Sequence, residues 1–353
     1  MAEARRITRQ MFPTAVLGLD ATADGETLYA ACMDGVYVRQ AGGKEVRRLY
    51  THESYASGVT LLPDGKTLVS AGYDGALTWY DLSGEKVIRT VKAHEFWSWQ
   101  MARSPDGKYV ASVTGQYLSG GPKYEPAPER EPSVKVFDAA SGALVHSLPH
   151  VPSVQSVTFS PDSRFVAAGN LMGEVRVWDV TSGKQVAGWT TDAFTSWGII
   201  KSHCYIGGIF SMAFTPDGNG LLLAGMGPMR DPMAGNGKQL WQRFAWRENP
   251  ARKVDETRPA ESGEGLMETL AVHPAGTHFV MSGRLRGGSW NTAVFNLADG
   301  ALVHSFKTDT RITKALFAAQ GQRLLLGGTQ RQPGLKNGKI PDFGHVDVYE
   351  LTL

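Results

Sequence analysis

Cysteine is scarce in this chain of 353 residues: there are two, Cys32 and Cys204. Two thiols so far apart form neither a zinc-type pair nor a disulfide framework, which fits a reducing compartment. Charge of one sign is lacking as well, since 36 basic against 34 acidic residues leave a net charge of +2. Nucleic-acid binders carry a basic stripe or domain, so no nucleic acid is expected as a partner. No run approaches the ~18 apolar residues of a membrane helix. The opening MAEARRITRQMF has no apolar signal segment. No membrane partner is expected, and the cytoplasm is the expected location. Catalytic signatures are equally sparse. There is no Cys-x-x-Cys-His haem site, and GRLRGG is too short and isolated to count as a phosphate loop.

What the chain does have is a sentence written several times. LLPDGKTLVSAGYDGALTWYDLSGEKV from Leu61, RSPDGKYVASV from Arg103 and FSPDSRFVAAGNLMGEVRVWDVTSGKQV from Phe159 share one frame. Equivalent turns begin at Ala23, Pro63, Pro105, Pro161, Pro216, Pro274 and Ala319, with gaps of 40, 42, 56, 55, 58 and 45 residues. Seven units of about forty residues, some stretched by insertions, are the mark of a repeat architecture. Within each unit, alternating apolar runs are punctuated by Asp-Gly and Ser-Gly, which supply the backbone of tight hairpins. Each unit therefore predicts a four-stranded antiparallel sheet, with strands a to d.

Further columns fix the register. His52, His94 and His150 each stand 11 residues before the turn proline, and Tyr80-Asp81 and Trp178-Asp179 stand 17 after it. Phe137-Asp138 follows a longer interval in the third unit. These residues resemble the WD-repeat family, whose units run from a His before strand a to a Trp-Asp at the end of strand c. The resemblance spans essentially the whole chain. It implies an all-β fold, a seven-bladed β-propeller of four-stranded antiparallel blades forming one domain over 1–353. The chain's end, HVDVYELTL, is a strand c with no strand d after it. Residues 3–11 are expected to supply that missing outer strand and close the ring. The resemblance also implies structural roles for His52, His94, His150, Trp178 and Asp179. Ser70 with Tyr80 suits His52, and Ser112 suits His94. His150 has only Ala168 and Trp178, so its network is expected to be incomplete.

Function is sought where the chain departs from its repeat. Long additions fall at about 115–132, 193–207, 225–238 and 329–344, with a short one in the sixth unit. All lie in b–c or d–a connections, which emerge on the same face of an antiparallel meander. Long loops in a compact domain are uncommon without a purpose, so this elaborated face is the expected binding face. It carries Tyr117, Tyr124, Trp197, His203, Tyr205, Met229, Arg230, Arg286 and Trp290. Aromatic, Met and Arg residues are favoured in protein interface cores, although loop aromatics also serve simply to pin loops.

The stretch HEFWSWQMARSPDGK adds Trp97 and Trp99 near the central channel and Arg103 in strand a. Arg103 is the one charge in a column of Ala21, Leu61, Phe159, Phe214, Val272 and Phe317. A buried Arg needs a partner. Glu95 or an acid of the 115–132 loop is expected to provide it, with direct ligand contact as the alternative. Six residues before each turn, Leu17, Ser57, Trp99, Gln155, Phe210, Glu268 and Thr313 are expected to line the channel. One carboxylate in seven is poor for Ca²⁺. The expectation is a non-enzymatic scaffold without cofactor or metal, binding a protein or peptide on the insertion-bearing face. The alternative is an enzyme or small-molecule binder with its site in the channel.

Overall fold

A computed structural model describes residues 3–40, 42–115, 129–194, 208–231, 236–263, 265–285, 288–336, 338 and 340–352. Of residues 228–231, 236 and 285 it describes the backbone only. The candidates Tyr117, Tyr124, Trp197, His203, Tyr205 and Arg286 lie outside the described residues, as do the side chains of Met229 and Arg230.

Strand β1 (Glu3–Phe12) comes first and is set aside by the chain until the ring closes. The first blade is β2 (Val16–Ala21), β3 (Thr27–Cys32), β4 (Gly35–Gln40) and β5 (Val46–Tyr50). The second is β6 (Ala56–Leu61), β7 (Thr67–Gly72), β8 (Ala76–Asp81) and β9 (Lys86–Lys92). The third is β10 (Ser98–Arg103), β11 (Tyr109–Thr114), β12 (Val134–Asp138) and β13 (Leu144–Leu148). The fourth is β14 (Val154–Phe159), β15 (Phe165–Asn170), β16 (Glu174–Asp179) and β17 (Gln185–Thr190). The fifth is β18 (Gly208–Phe214), β19 (Gly220–Asp231), β20 (Asn236–Ala245) and β21 (Arg252–Glu256). The sixth is β22 (Gly265–Val272), β23 (His278–Leu285), β24 (Thr292–Asn296) and β25 (Leu302–Phe306). The seventh joins β26 (Arg311–Ala318), β27 (Arg323–Thr329) and β28 (Gly344–Thr352) to β1, which pairs antiparallel with β28 as the outer strand.

Blades pack because every sheet has two apolar faces. The buried side chains fall into seven clusters, and each joins one blade to the next, from Val69 and Trp79 with Val110 and Phe137 to Leu325 and Val346 with Val16 and Leu28. No blade owns a core of its own. The ring is the unit of burial, which is why closure matters.

Each innermost strand is interrupted by one bulge, and the residue skipped in the register is Leu17, Ser57, Trp99, Gln155, Phe210, Glu268 or Thr313. A bulge adds one residue against its partner strand and re-aims its side chain. All seven line the central cavity. The next residue along reaches toward the neighbouring blade: Gln100 Oε1, Ser211 Oγ and Thr269 Oγ1 accept from the backbone N–H of Val157, Leu270 and Ala315.

One insertion is not a loop. Residues 225–231 and 236–238 extend the β19–β20 hairpin, with Gly225 opposite Leu240, Met229 opposite Gly237 and Asp231 opposite Asn236. Sequence spacing alone does not separate an added loop from a lengthened strand pair.

Candidate interaction face

The b–c and d–a connections emerge together on one end of the ring, as the meander requires. On it, five aromatic side chains from blades 2 and 3 form a continuous ledge beside the channel mouth. Tyr55 ends the β5–β6 connection, Tyr73 sits in the β7–β8 turn, and Phe96 and Trp97 lie between β9 and β10. Trp97 stacks on Tyr73 at 4.9 Å and on Phe96 at 4.9 Å between ring centroids. Trp99 meets both Tyr73 and Trp97 edge-on at 5.3 Å, and Tyr55 lies 5.9 Å from Tyr73. Such pairs contribute roughly 0.5–1.5 kcal/mol beyond area burial. Even so, Tyr55 remains 43% exposed and Trp97 38%.

A hydrogen-bonded frame holds the ledge. Glu131 Oε1 accepts from the backbone N–H of Glu95 at 2.7 Å, while Oε2 accepts from Lys135 Nζ at 2.7 Å. Lys135 also donates to Ala93 O at 2.7 Å. Burial raises the Glu131 pKa, but these donors together with His94 outweigh it and hold the carboxyl at about 2. Glu129 Oε1 accepts from the N–H groups of Ser133 and His150, tying the same insertion stem to the next blade. Glu129 and Glu131 of the 115–132 insertion thus serve as pegs for loop backbone.

The repeat histidines are structural. His52 Nε2 lies 2.7 Å from Ser70 Oγ, Tyr50 donates its hydroxyl to the same Oγ at 2.8 Å, and His52 Nδ1 is 3.0 Å from Asp74. Tyr80 takes part by stacking on Tyr50 at 4.9 Å rather than through its hydroxyl. His94 Nε2 lies 2.9 Å from Ser112 Oγ. His150 Nε2 reaches only the carbonyl of Ala168, at 3.3 Å, with its ring 6.0 Å from Trp178. Its network is the incomplete one, and burial with the Arg176 charge pushes its pKa down to about 3. Asp179 accepts from the N–H and hydroxyl of Ser182 in the c–d turn on the opposite end of the ring.

Two sequence candidates lie elsewhere than expected. Arg103 ends β10 beside the Pro105 turn, at the opposite end from the insertions, and its Nε lies 3.3 Å from Thr60 Oγ1. Neither Glu95 nor a described acid of the insertion pairs with it. It is only half-buried, so the salt bridge inferred from a fully apolar column is not required. Trp290 is 6% exposed and packs against Phe295 in the core between blades 5 and 6. It pins its loop from within.

At the channel mouth, Arg311 and Glu268 form a bidentate pair across blades 6 and 7, with both contacts at 2.7 Å. Lys314 also lines the cavity, and burial lowers its pKa. Among the described residues, no three His, Cys, Asp or Glu side chains group as a metal site would need. Sequence reasoning missed Tyr55, Tyr73 and Phe96. The signal was present for Phe96, adjacent to Trp97, and hidden for the tyrosines, which sit in ordinary repeat turns.

The family description "WD domain, G-beta repeat" matches residues 43–81 and 142–179. Each match runs from the outer strand of one blade through the third strand of the next. It is a seven-bladed β-propeller that carries WD repeats. This WD-repeat chain is similar to the U3 small nucleolar RNA-associated protein 4 homolog of Mus musculus, 27% identical over 179 residues, 51% of this chain and 24% of that protein. It is similar to Small ribosomal subunit protein RACK1 of Schizosaccharomyces pombe, 27% identical over 142 residues, 37% of this chain and 40% of that protein. It is similar to Protein groucho of Drosophila melanogaster, 26% identical over 172 residues, 48% of this chain and 20% of that protein. The matches span less than half the length of each of these relatives. Among the described residues of the WD-repeat propeller, no helix is long and apolar enough to cross a membrane.

Proposed function

We propose that this propeller is a non-enzymatic scaffold that binds another protein, as a peptide segment, on the insertion-bearing face, and does so in the cytoplasm. The observation that carries the reading is the aromatic ledge, which leaves Trp97 and Tyr55 more than a third exposed at the channel mouth. Large aromatics gathered at one mouth and fixed by a polar frame are the composition of interface hot spots. Two of the similar proteins are named as a ribosomal subunit protein and an RNA-associated protein, which fits work within assemblies. The net charge of +2 favours a protein over nucleic acid as the direct contact.

The test is affinity capture from the native host's lysate with wild type and with Tyr55→Ala/Trp97→Ala, both checked for an unchanged thermal midpoint. A partner held by wild type and lost by the variant supports the reading. Recovery of the same proteins by both would make the ledge a packing feature.

A further inference from the structure

The far side of the channel mouth differs in chemistry from the ledge. Between blades 6 and 7, Arg284, Lys307, Arg311 and Arg331 line one open groove of about 590 Å³, and Arg311 also borders the central cavity that Lys314 lines. Arg311 is therefore a wall that the groove and the channel share. Two acids lie in their walls, and both are spent. Asp309 gives both oxygens to Arg9, at 3.0 and 2.6 Å, and Glu268 gives both to Arg311. Lys307 and Arg331 are exposed and make no ion pair with any described residue. Lys314 is half-buried and makes no hydrogen bond with any described residue; the Asp20 carboxylate acts on it through space while accepting from the Thr60 hydroxyl and the Leu61 N–H. A partly buried ammonium with no hydrogen-bonded acceptor is poorly solvated, and an incoming anion improves its surroundings.

We propose that the segment bound on this face is an acidic peptide, its carboxylates lying along the groove from Lys307 and Arg331 past Arg311, with one entering the channel toward Lys314. This rests on the reading that the insertion-bearing face takes a peptide, and it adds the peptide's chemistry and path. Complementary charge sets orientation and encounter rate, while the aromatic ledge across the mouth accepts an apolar residue of the same segment. The cations sit in a groove between two connections and extend inward to the channel. A duplex backbone would need them spread along an outer stripe.

The probe is a fluorescein-labelled oligoglutamate with one central leucine, followed by fluorescence anisotropy on the full chain, with an oligolysine counterpart and an oligouridylate as controls. The oligoglutamate is expected to bind at low ionic strength and weaken with salt, with affinity about tenfold lower in Lys307→Glu/Arg331→Glu and several-fold lower in Lys314→Met. Lys307 and Arg331 are exposed and unpaired, so their reversal leaves the fold intact. No binding, or equal binding by the charge-reversed variant, overturns the proposal, and so does tighter binding of the oligouridylate. The same variants separate the two readings. A captured partner lost with Tyr55→Ala/Trp97→Ala but kept by Lys307→Glu/Arg331→Glu leaves the face as a binding site and removes the acidic track. Oligoglutamate binding that needs Lys307 and Arg331, alongside capture indifferent to the ledge, supports the track and removes the ledge.

Discussion

Single residues in this ring set its response to acid. His150 and His345 are buried, and burial is the first cause holding their pKa values down, at about 3 and about 4. In the unfolded chain both titrate near ~6.5. Between ~6.5 and those folded values the unfolded chain binds more protons, so stability falls as pH falls through that window. Glu131 and Asp309 behave differently, since both are held at about 2 in the fold. Their contribution is complete above the ordinary carboxylate range and is lost only as pH drops from ~4 toward 2. Urea midpoints are therefore expected to decline in two stages. A His150→Gln/His345→Gln variant should flatten the first stage, by on the order of 2–3 kcal/mol per imidazole between pH 6.5 and 4. A slope unchanged from wild type would refute the assignment.

At the scale of the strand, the inner wall is where blades approach most closely. A Cβ built on Gly18 would stand 2.7 Å from the Cα of Gly58, whereas one on Gly334 would meet nothing within 4 Å. Gly18→Ala is expected to cost about 1–3 kcal/mol by forcing backbone apart. Gly334→Ala is expected to be near neutral. Equal thermal midpoints for the two would show that the inner strands yield freely. The same wall shows what was legible in advance. The channel column was read residue by residue, because seven registered copies average out local noise and a bulge at a fixed offset leaves its residue at a fixed offset. Outside the register that advantage disappears. Arg103 was given an acidic partner because six neighbours in its column are apolar, yet its own position leaves the guanidinium half in water. Trp290 was read as a face residue from its place in a connection, but the chain folds it back under that face. Within the 225–238 insertion, 225–231 and 236–238 keep strand pairing where a loop is expected. Repeat position predicts the backbone. The direction of an inserted side chain depends on neighbours that sequence does not name.

For the molecule as a whole, stability depends on one seam. Arg9 of β1 holds Asp347 of β28 through two contacts of 2.7 Å and also holds Asp309 of the preceding connection, while the Asp347 side chain is fully buried. Arg5 pairs with Glu350 further along the same strand pair. Arg9→Met leaves a buried carboxylate short of its main counter-ion and should cost about 3 kcal/mol. Arg9→Met/Asp347→Leu should recover part of that loss, since replacing both charges removes the uncompensated one. If the double variant is no more stable than the single, the pair is not what holds the seam.

The seam also imposes an order of events on synthesis. From Phe12, where β1 ends, to Gly344, where β28 begins, the chain adds 344 − 12 = 332 positions. At ~5–20 residues per second, β1 waits roughly 17–66 s for the strand it pairs with. Phe12, wholly buried in the closed ring, shares its core cluster with Tyr37 of the first blade and with Val346 of β28, so part of that cluster is missing throughout the interval. Strand β1 thus reaches its final partner only when β28 has been made, and its apolar face must be sheltered until the two strands meet.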